Sequence, residues 1–372
     1  MPQATCSPRR VQAALLCIDS GLTDSLSHDE LARRTGGAMY RVAAPLSRAV
    51  EVVVVAMVSL ALFLVFVPAL QVGAIVGWTA KPPAITVKEV EAELKLALSQ
   101  ERVVGTLTPS LAQVTAAPLT AMGPSPLNTR CWPTRAQTTV PLCQYGDLKS
   151  KITVLLTGDS QAFMWEPAFG IAGKILGFRV VMMIKALCPA EVVPTSYWYG
   201  TPYPQCTEFH AFLNKWVSVH KPRLIFAAGR SPELSAGYSD AFQIAQEFLT
   251  MRKEFHSPKS LVYLLPLTVD GSDPPACVSA YISAVNRCAV QRSSGYFEST
   301  VDQGIAIAVA SKQESTIPAV SLLCTAKSCP VVSRNFLIYT DNDHVSRKWM
   351  WHIGPALADL LRPVLKRLPH TS

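Results

Sequence analysis

Hydrophobic and polar positions divide the chain into two regimes. From Val52 to Trp78 no residue is charged, and the run VVVVAMVSLALFLVFVPALQVGAIVGW reads as one membrane-spanning helix. About 27 residues rising ~1.5 Å each exceed the roughly 30 Å of a hydrocarbon core. A buried helix of a soluble core is usually shorter and interrupted by polar positions, and a cleaved signal sequence starts earlier and has a shorter apolar region. From about residue 150 onward, short apolar runs alternate with amphipathic stretches. Strands are expected near 152–156, 178–184, 223–228, 260–265, 318–322 and 336–339, and helices near 161–176, 207–220, 238–255, 297–311 and 346–365. This alternation predicts an α/β fold built on a parallel sheet with helices on both faces. Val87 to Val104 has helical spacing, with Val87, Val90, Leu94 and Leu98 on one side, which suits either a stalk or a helix packed on the domain. Residues 105–135 carry Pro109, Pro118, Pro124, Pro126 and Pro133 and read as a spacer.

Charge gives the expected span a direction. Arg9, Arg10, Arg33, Arg34, Arg41 and Arg48 precede it, whereas only Lys81 and Lys88 occur in the fifteen residues after it. By the positive-inside rule the N-terminus is cytoplasmic and everything past Trp78 is outside. The expected organisation is a cytoplasmic segment at 1–48, a transmembrane helix at 49–78, a helical and proline-rich linker at 79–130, and an extracytoplasmic domain at 131–372 at the cell membrane. The net charge of +8 is spread along the chain, without a basic run interleaved with aromatics. Nucleic acid is therefore not an expected partner, while an anionic envelope or glycan is compatible with it.

Cysteines agree with the outward side. Eight lie beyond the span in close couples: Cys131 with Cys143, Cys188 with Cys206, Cys277 with Cys288, and Cys324 with Cys329. Couples of this kind suggest short-loop disulfides made in an oxidising compartment. No metal site is expected, because no Cys-x-x-Cys occurs and no histidine stands at ligand spacing near these cysteines.

Two segments carry candidate chemistry. Gly158-Asp159-Ser160 ends one apolar run, and Asp341-Asn342-Asp343-His344 follows another. A serine hydroxyl is a weak nucleophile until a base takes its proton, and a histidine oriented by a carboxylate is the common solution. Ser160 at a strand-to-helix junction would also present its backbone N–H and a helix N-terminus to a developing oxyanion. Each segment alone also reads as an ordinary cap, with Asp159 or Ser160 before one helix and Ser346 before the last. Trp165, Tyr197, Trp198, Tyr199 and Tyr203 suit either sugar stacking or loop packing. Trp349 and His352 on the last expected helix read as core, and His210, His220 and His256 as structural.

The blocks VLLTGDSQAFMWEPAF, VVMMIKALCPA, CTEFHAFLNKWVSVHKPRLIFAAG and LCTAKSCPVVSRNFLIYTDNDHVSRKWMWHIGPAL resemble the SGNH hydrolase-like domain at the C-terminus of bacterial membrane-bound acyltransferase-3 proteins. That resemblance implies a three-layer α/β/α, flavodoxin-like parallel sheet, with Ser160 as nucleophile, His344 as base and Asp341 as its partner. Oxyanion donors are then expected from Ser160, Ala186 and Gly229. The family's glycine in the second block and asparagine in the third are absent here, where Lys185-Ala186-Leu187-Cys188-Pro189 and Ala227-Ala228-Gly229-Arg230 stand. The implied activity needs no cofactor. It is serine O-acyl transfer to a cell-envelope glycan, with a separate multi-span membrane acyltransferase supplying the acyl group. An acyl esterase with the same triad and an inactive anchored binding domain are the alternatives.

Overall fold

The computed structural model describes residues 84–116, 131–188, 190, 197–198, 201–229, 241–255, 261–264, 273–292, 304, 306–310 and 315–367. The chain divides into two units, Met1–Val72 and Gly73–Ser372, and every described residue belongs to the second. The expected span at 49–78 lies outside the described residues, as does part of the helix expected at 297–311. No helix among the described residues is long and apolar enough to cross a membrane.

Six strands form the central sheet: β1 (Cys143–Gly146), β2 (Thr153–Gly158), β3 (Arg179–Ile184), β4 (Leu224–Ala228), β5 (Leu261–Leu264) and β6 (Ser315–Thr316), in the order β1-β3-β2-β4-β5-β6. The last five run parallel to one another, while β1 pairs antiparallel with β3 at one edge. The sheet is therefore mixed and parallel-rich, rather than wholly parallel as the alternation suggested. An antiparallel edge is easily missed, because β1 (CQYG) is short and only its two ends are buried.

Period-two alternation along the strands creates two cores. Val154, Leu156, Val180, Met182, Ile184, Leu224 and Phe226 face one side, and Leu155, Val181, Met183, Ile225 and Ala227 the other. The first core is covered by α1 (Val87–Ala97), α2 (Ser160–Met164), α3 (Glu166–Leu176) and α6 (Arg347–Arg367); the second by α4 (Pro204–His220) and α5 (Ala241–Glu254). α6 packs closely along α3, and Gly354 makes the approach possible, since a Cβ there would lie 2.7 Å from the Cβ of Ile171.

Three expected elements change. Residues 318–322 are not a strand; Ala319–Leu322 form a 3-10 helix after Pro318, and the edge strand lies just before it at β6. Only Phe336–Leu337 of the run 336–339 is strand, paired with Val332–Ser333 outside the central sheet. The expected helix at 161–176 is two helices that meet at Trp165, with Pro167 starting the second.

α1 is packed on the domain. Thr86 and Glu89 form a capping box at its start, and Val90, Leu94 and Ala97 are buried. Its one buried carboxylate, Glu93, accepts from Ser333 Oγ at 2.9 Å and lies 2.9 Å from His352 Nε2 on α6. The helix thus joins the first core rather than standing away from it as a stalk. The same first core draws in the stretch expected as a spacer, where Thr108 bridges to Phe336. All four cysteine couples close as disulfides, Cys131–Cys143, Cys188–Cys206, Cys277–Cys288 and Cys324–Cys329.

Truncating a fully buried leucine usually costs about 2–5 kcal/mol. Leu94→Ala is expected to lower unfolding free energy by about that amount in denaturant titration. A helix standing off as a stalk would lose less than about 1 kcal/mol.

Candidate active site

The site is built where β2 ends. Strand order reverses about β2, with β3 on one side and β4 on the other, and this is where open α/β sheets place ligands at their carboxyl ends. Gly158 closes β2 with φ 134°, and a Cβ on it would fall 1.6 Å from the carbonyl oxygen of Ala228. Only glycine permits this close approach. Asp159 follows as the N-cap of α2, its carboxylate accepting from Gln161 N at 2.8 Å. Asp159 is therefore a cap, as one sequence reading held, while Ser160 opens the helix half-buried at the sheet edge. Because α2 has only five residues, it offers a much weaker dipole than the continuous helix expected over 161–176.

The second segment folds as a closed loop between Tyr339 and Val345, which bridge one another. Thr340 N donates to His344 O at 2.8 Å, and Ser346 N donates to Ile338 O at 2.7 Å. Ser346 is fully buried, and its hydroxyl also accepts from Trp349 N at 3.3 Å at the start of α6. Inside the loop the Asp341 carboxylate accepts from Asp343 N at 2.6 Å and His344 N at 2.7 Å. His344 Nδ1–H donates to the same group, 2.9 Å from Oδ2 and 3.0 Å from Oδ1. This assignment leaves the proton on Nδ1 and the lone pair on Nε2.

His344 Nε2 is buried and has no hydrogen-bond partner among the described residues, so no hydrogen bond joins it to Ser160 here. Catalytic hydrogen bonds are often formed only once substrate is bound. Burial works against protonating this imidazole, yet the hydrogen bond and charge of Asp341, with Asp343 and Asp159 adding, hold its pKa above the usual histidine value. Burial would likewise raise the Asp341 carboxyl, but His344 and the two loop N–H groups outweigh it and keep it below the usual carboxylate range.

Three contacts stitch the serine helix to the histidine loop. Gln161 Nε2 donates to Asp343 O. Val345 N donates to Met164 Sδ at 3.3 Å. Buried Glu166, just past α2, pairs at 3.5 Å with Arg347, just past the loop. Burial raises the Glu166 carboxyl to about 7, against the pull of Arg347. Neither Gln161 nor the Glu166–Arg347 pair was singled out from sequence. The signal lay in Gln161 and Glu166 being polar residues in an otherwise apolar block, TVLLTGDSQAFMWEPAF.

The expected oxyanion positions flank this centre. Ala186 lies in the turn after β3, where its carbonyl accepts from Tyr203 Oη at 3.3 Å, and Gly229 follows β4, half-buried; Arg230 is outside the described residues. Lys185, where the second block begins, is fully buried and donates to the carbonyls of Thr134, at 3.1 Å, and Arg135, at 3.0 Å, and to Gln137 O. Burial pushes its amine down to about 8.

Two of the candidate sugar-stacking aromatics are core instead: Trp165 is fully buried, and Tyr203 lies beneath Lys185, whose Nζ is 5.1 Å from its ring centre. Tyr197 and Trp198 pair with Thr201 and Pro202 in a small ribbon, and Tyr199 is outside the described residues. His352 is buried between Glu93 and the Phe336 ring, and His220 stacks on Trp216 at 4.4 Å, while His256 lies outside the described residues. His210 does come near two cysteines, with Nε2 3.6 Å from Cys188 Sγ. This corrects the expectation that no histidine stands at ligand spacing, since His210 follows Cys206 by one helical turn, but both sulfurs are taken by the Cys188–Cys206 bond and offer no thiolate to a metal.

A family model described as "SGNH domain (fused to AT3 domains)" matches residues 130–359. Among solved structures, the chain is similar to the periplasmic domain of a lipopolysaccharide acetyltransferase from Salmonella ser. Paratyphi A. The two share 12% identity with a TM-score of 0.43, over 77% of this chain and 98% of that one. No curated protein sequence matches the chain.

A base held as His344 is held must be neutral to act, so a rate that depends on it falls as pH drops through its raised pKa. An ascending limb in kcat/KM with its midpoint above 6.5 is expected for ester cleavage. Asp341→Asn removes the group that raises the imidazole, so the limb moves to lower pH while kcat falls by roughly 10³–10⁴. A limb unmoved by Asp341→Asn contradicts the pairing.

Proposed function

The chain belongs to the family of SGNH domains fused to AT3 domains, and on that premise we propose that it is a membrane-anchored, extracytoplasmic serine O-acyltransferase. The observation that carries this reading is the Asp341–His344 pair, whose hydrogen bond at 2.9 Å fixes Nδ1 and leaves buried Nε2 to take a proton. The stitching of its loop to α2, through Gln161, Met164 and the Glu166–Arg347 pair, supports Ser160 as the proton's source.

In the proposed reaction Ser160 Oγ attacks the carbonyl carbon of an acyl ester as its proton passes to His344 Nε2. The carbonyl electron pair moves onto oxygen, giving a tetrahedral oxyanion held by backbone N–H groups at the sheet edge. Collapse restores the carbonyl and expels the donor alkoxide, which takes the proton from His344, leaving acyl-Ser160. An acceptor hydroxyl, on a cell-envelope glycan in this reading, then loses its proton to His344 and displaces serine by the same steps. Asp341 stays ionised throughout and stabilises the imidazolium. With water as acceptor, the same residues make an esterase.

The anchored, outward placement rests on the uncharged run Val52–Trp78, the arginines before it, and four disulfides of the kind favoured outside the cytoplasm. The acyl group would come from a separate multi-span membrane acyltransferase, the domain type to which members of this family are fused.

A fluorophosphonate probe is expected to label the chain at Ser160, and Ser160→Ala is expected to abolish labelling. The same substitution should lower cleavage of a chromogenic acetyl ester by at least ~10⁴-fold. Equal labelling of the two proteins sinks the nucleophile assignment. Acetylated glycan among the products, when a glycan acceptor is supplied, separates transferase from esterase.

A further inference from the structure

The turn after β3 is held in a conformation its sequence does not favour. Cys188 N donates to Lys185 O at 3.1 Å, which closes a four-residue turn over Lys185, Ala186, Leu187 and Cys188. Leu187 has φ 52°, whereas Ala186 is not among the residues with positive φ. A positive φ at the third position alone defines a type II turn, where glycine or asparagine is the normal occupant. Leucine there is out of place, and such outliers persist only where surrounding structure fixes them.

Three restraints fix this one. Lys185 N donates to Gly158 O at 2.9 Å, tying the start of the turn to the strand end that carries Ser160. Cys188, at its end, is bonded to Cys206 in the first turn of α4. Tyr203, immediately before α4 and almost fully buried, donates its hydroxyl to Ala186 O at 3.3 Å. The lysine side chain is itself held by the carbonyls of 134–137, so the turn cannot drift along the sheet edge.

Tyr203 controls the one peptide whose direction matters. In a trans peptide, C=O and N–H point opposite ways, so a carbonyl of Ala186 drawn toward Tyr203 sends the N–H of Leu187 away from it. Tyr203, Cys188, Cys206 and Phe209 belong to the second core, on one face of the sheet. The serine helix residues Ala162, Phe163 and Met164, and Val345 of the histidine loop, belong to the first core on the other face. Directed away from Tyr203, the Leu187 N–H points toward the Ser160 side of the sheet edge, and no acceptor for it occurs among the described residues.

We infer that Tyr203 is a positioning residue for catalysis: its hydroxyl fixes the strained Ala186–Leu187 peptide so that Leu187 N–H serves as an oxyanion donor. This rests on the acyl-serine reading above, and it assigns a role to a buried tyrosine and a non-glycine turn that sequence left unexplained. The negative charge is on the former carbonyl oxygen of the tetrahedral adduct, and a donor already aimed at it needs no reorganisation.

The test compares Tyr203→Phe with the unaltered full chain in detergent. Loss of one oxyanion donor typically costs about 10²–10³ in kcat, and loss of the bond that aims it should cost less, about tenfold. Tyr203→Phe is expected to lower kcat on a chromogenic acetyl ester about tenfold with KM unchanged. Affinity for a boronic acid, which forms an anionic tetrahedral adduct on serine, should fall by the same factor. Unchanged kcat and boronate affinity in Tyr203→Phe, with the full chain still labelled at Ser160 by fluorophosphonate, overturn the inference and leave the acyl-serine reading standing. A loss in Tyr203→Phe that appears equally in KM and in melting temperature also overturns it, since it marks a structural role. No fluorophosphonate labelling of the unaltered chain overturns the acyl-serine reading, and this inference with it.

Discussion

The close approach of three strand ends governs everything around the site. β2 is paired through Gly158 to Ile184 on one side and Ala228 on the other, and the Ala228 carbonyl occupies the space a Cβ would need. That contact brings the exits of β3 and β4 against the exit of β2, so the chain leaves both neighbouring strands beside Gly158, two residues before Ser160. A side chain at 158 would push the strands apart, and the turn at 185–188 would lose its hydrogen bond to Gly158 O. The position of Ser160 and the turn at 185–188 thus share one steric condition.

Polar groups link the remaining parts, and burying one costs far more when it is left without a partner. Glu166 and Arg347 connect the start of α3, next to the serine helix, with the start of α6, directly past the histidine loop. Glu93, with Ser333 and His352, connects α1 with the same α6 about one and a half turns further on. α6 therefore follows directly on the histidine loop and receives α1 along its side. α1 precedes the region matched by the family model, yet its Val90 and Leu94 lie in the same core as Tyr339 and Val345, which close the histidine loop. α1 thus ends in direct contact with α6, the helix that follows the histidine loop.

Much of the fold was legible because burial and periodicity are local signals. TVLLTG, RVVMMI and LIFAA are unbroken apolar runs, which is how strands buried on both faces read. The edge strand CQYG gave no such run, and AVSL looked like strand although Pro318 and the edge of the sheet turn it into a 3-10 helix. The cysteine couples were visible as spacing, while the approach of His210 to one of them, a helix turn past Cys206, was not. Trp165 and Tyr203 illustrate the same limit: composition marks an aromatic as amphipathic, and only packing decides which end of that character is used.

Sequence by itself determined the strand-and-helix alternation, the cysteine couples and the identity of the Asp341–His344 pair, because each depends on residues close together or on composition within one element. Tertiary structure alone decided that Gly158 has no room for a side chain, that Gln161, Glu166 and Arg347 join two segments nearly two hundred residues apart, and that Leu187 sits in a turn shaped by Tyr203. These depend on where distant strand ends come to lie, and contacts between distant segments leave no periodic trace in the chain that makes them.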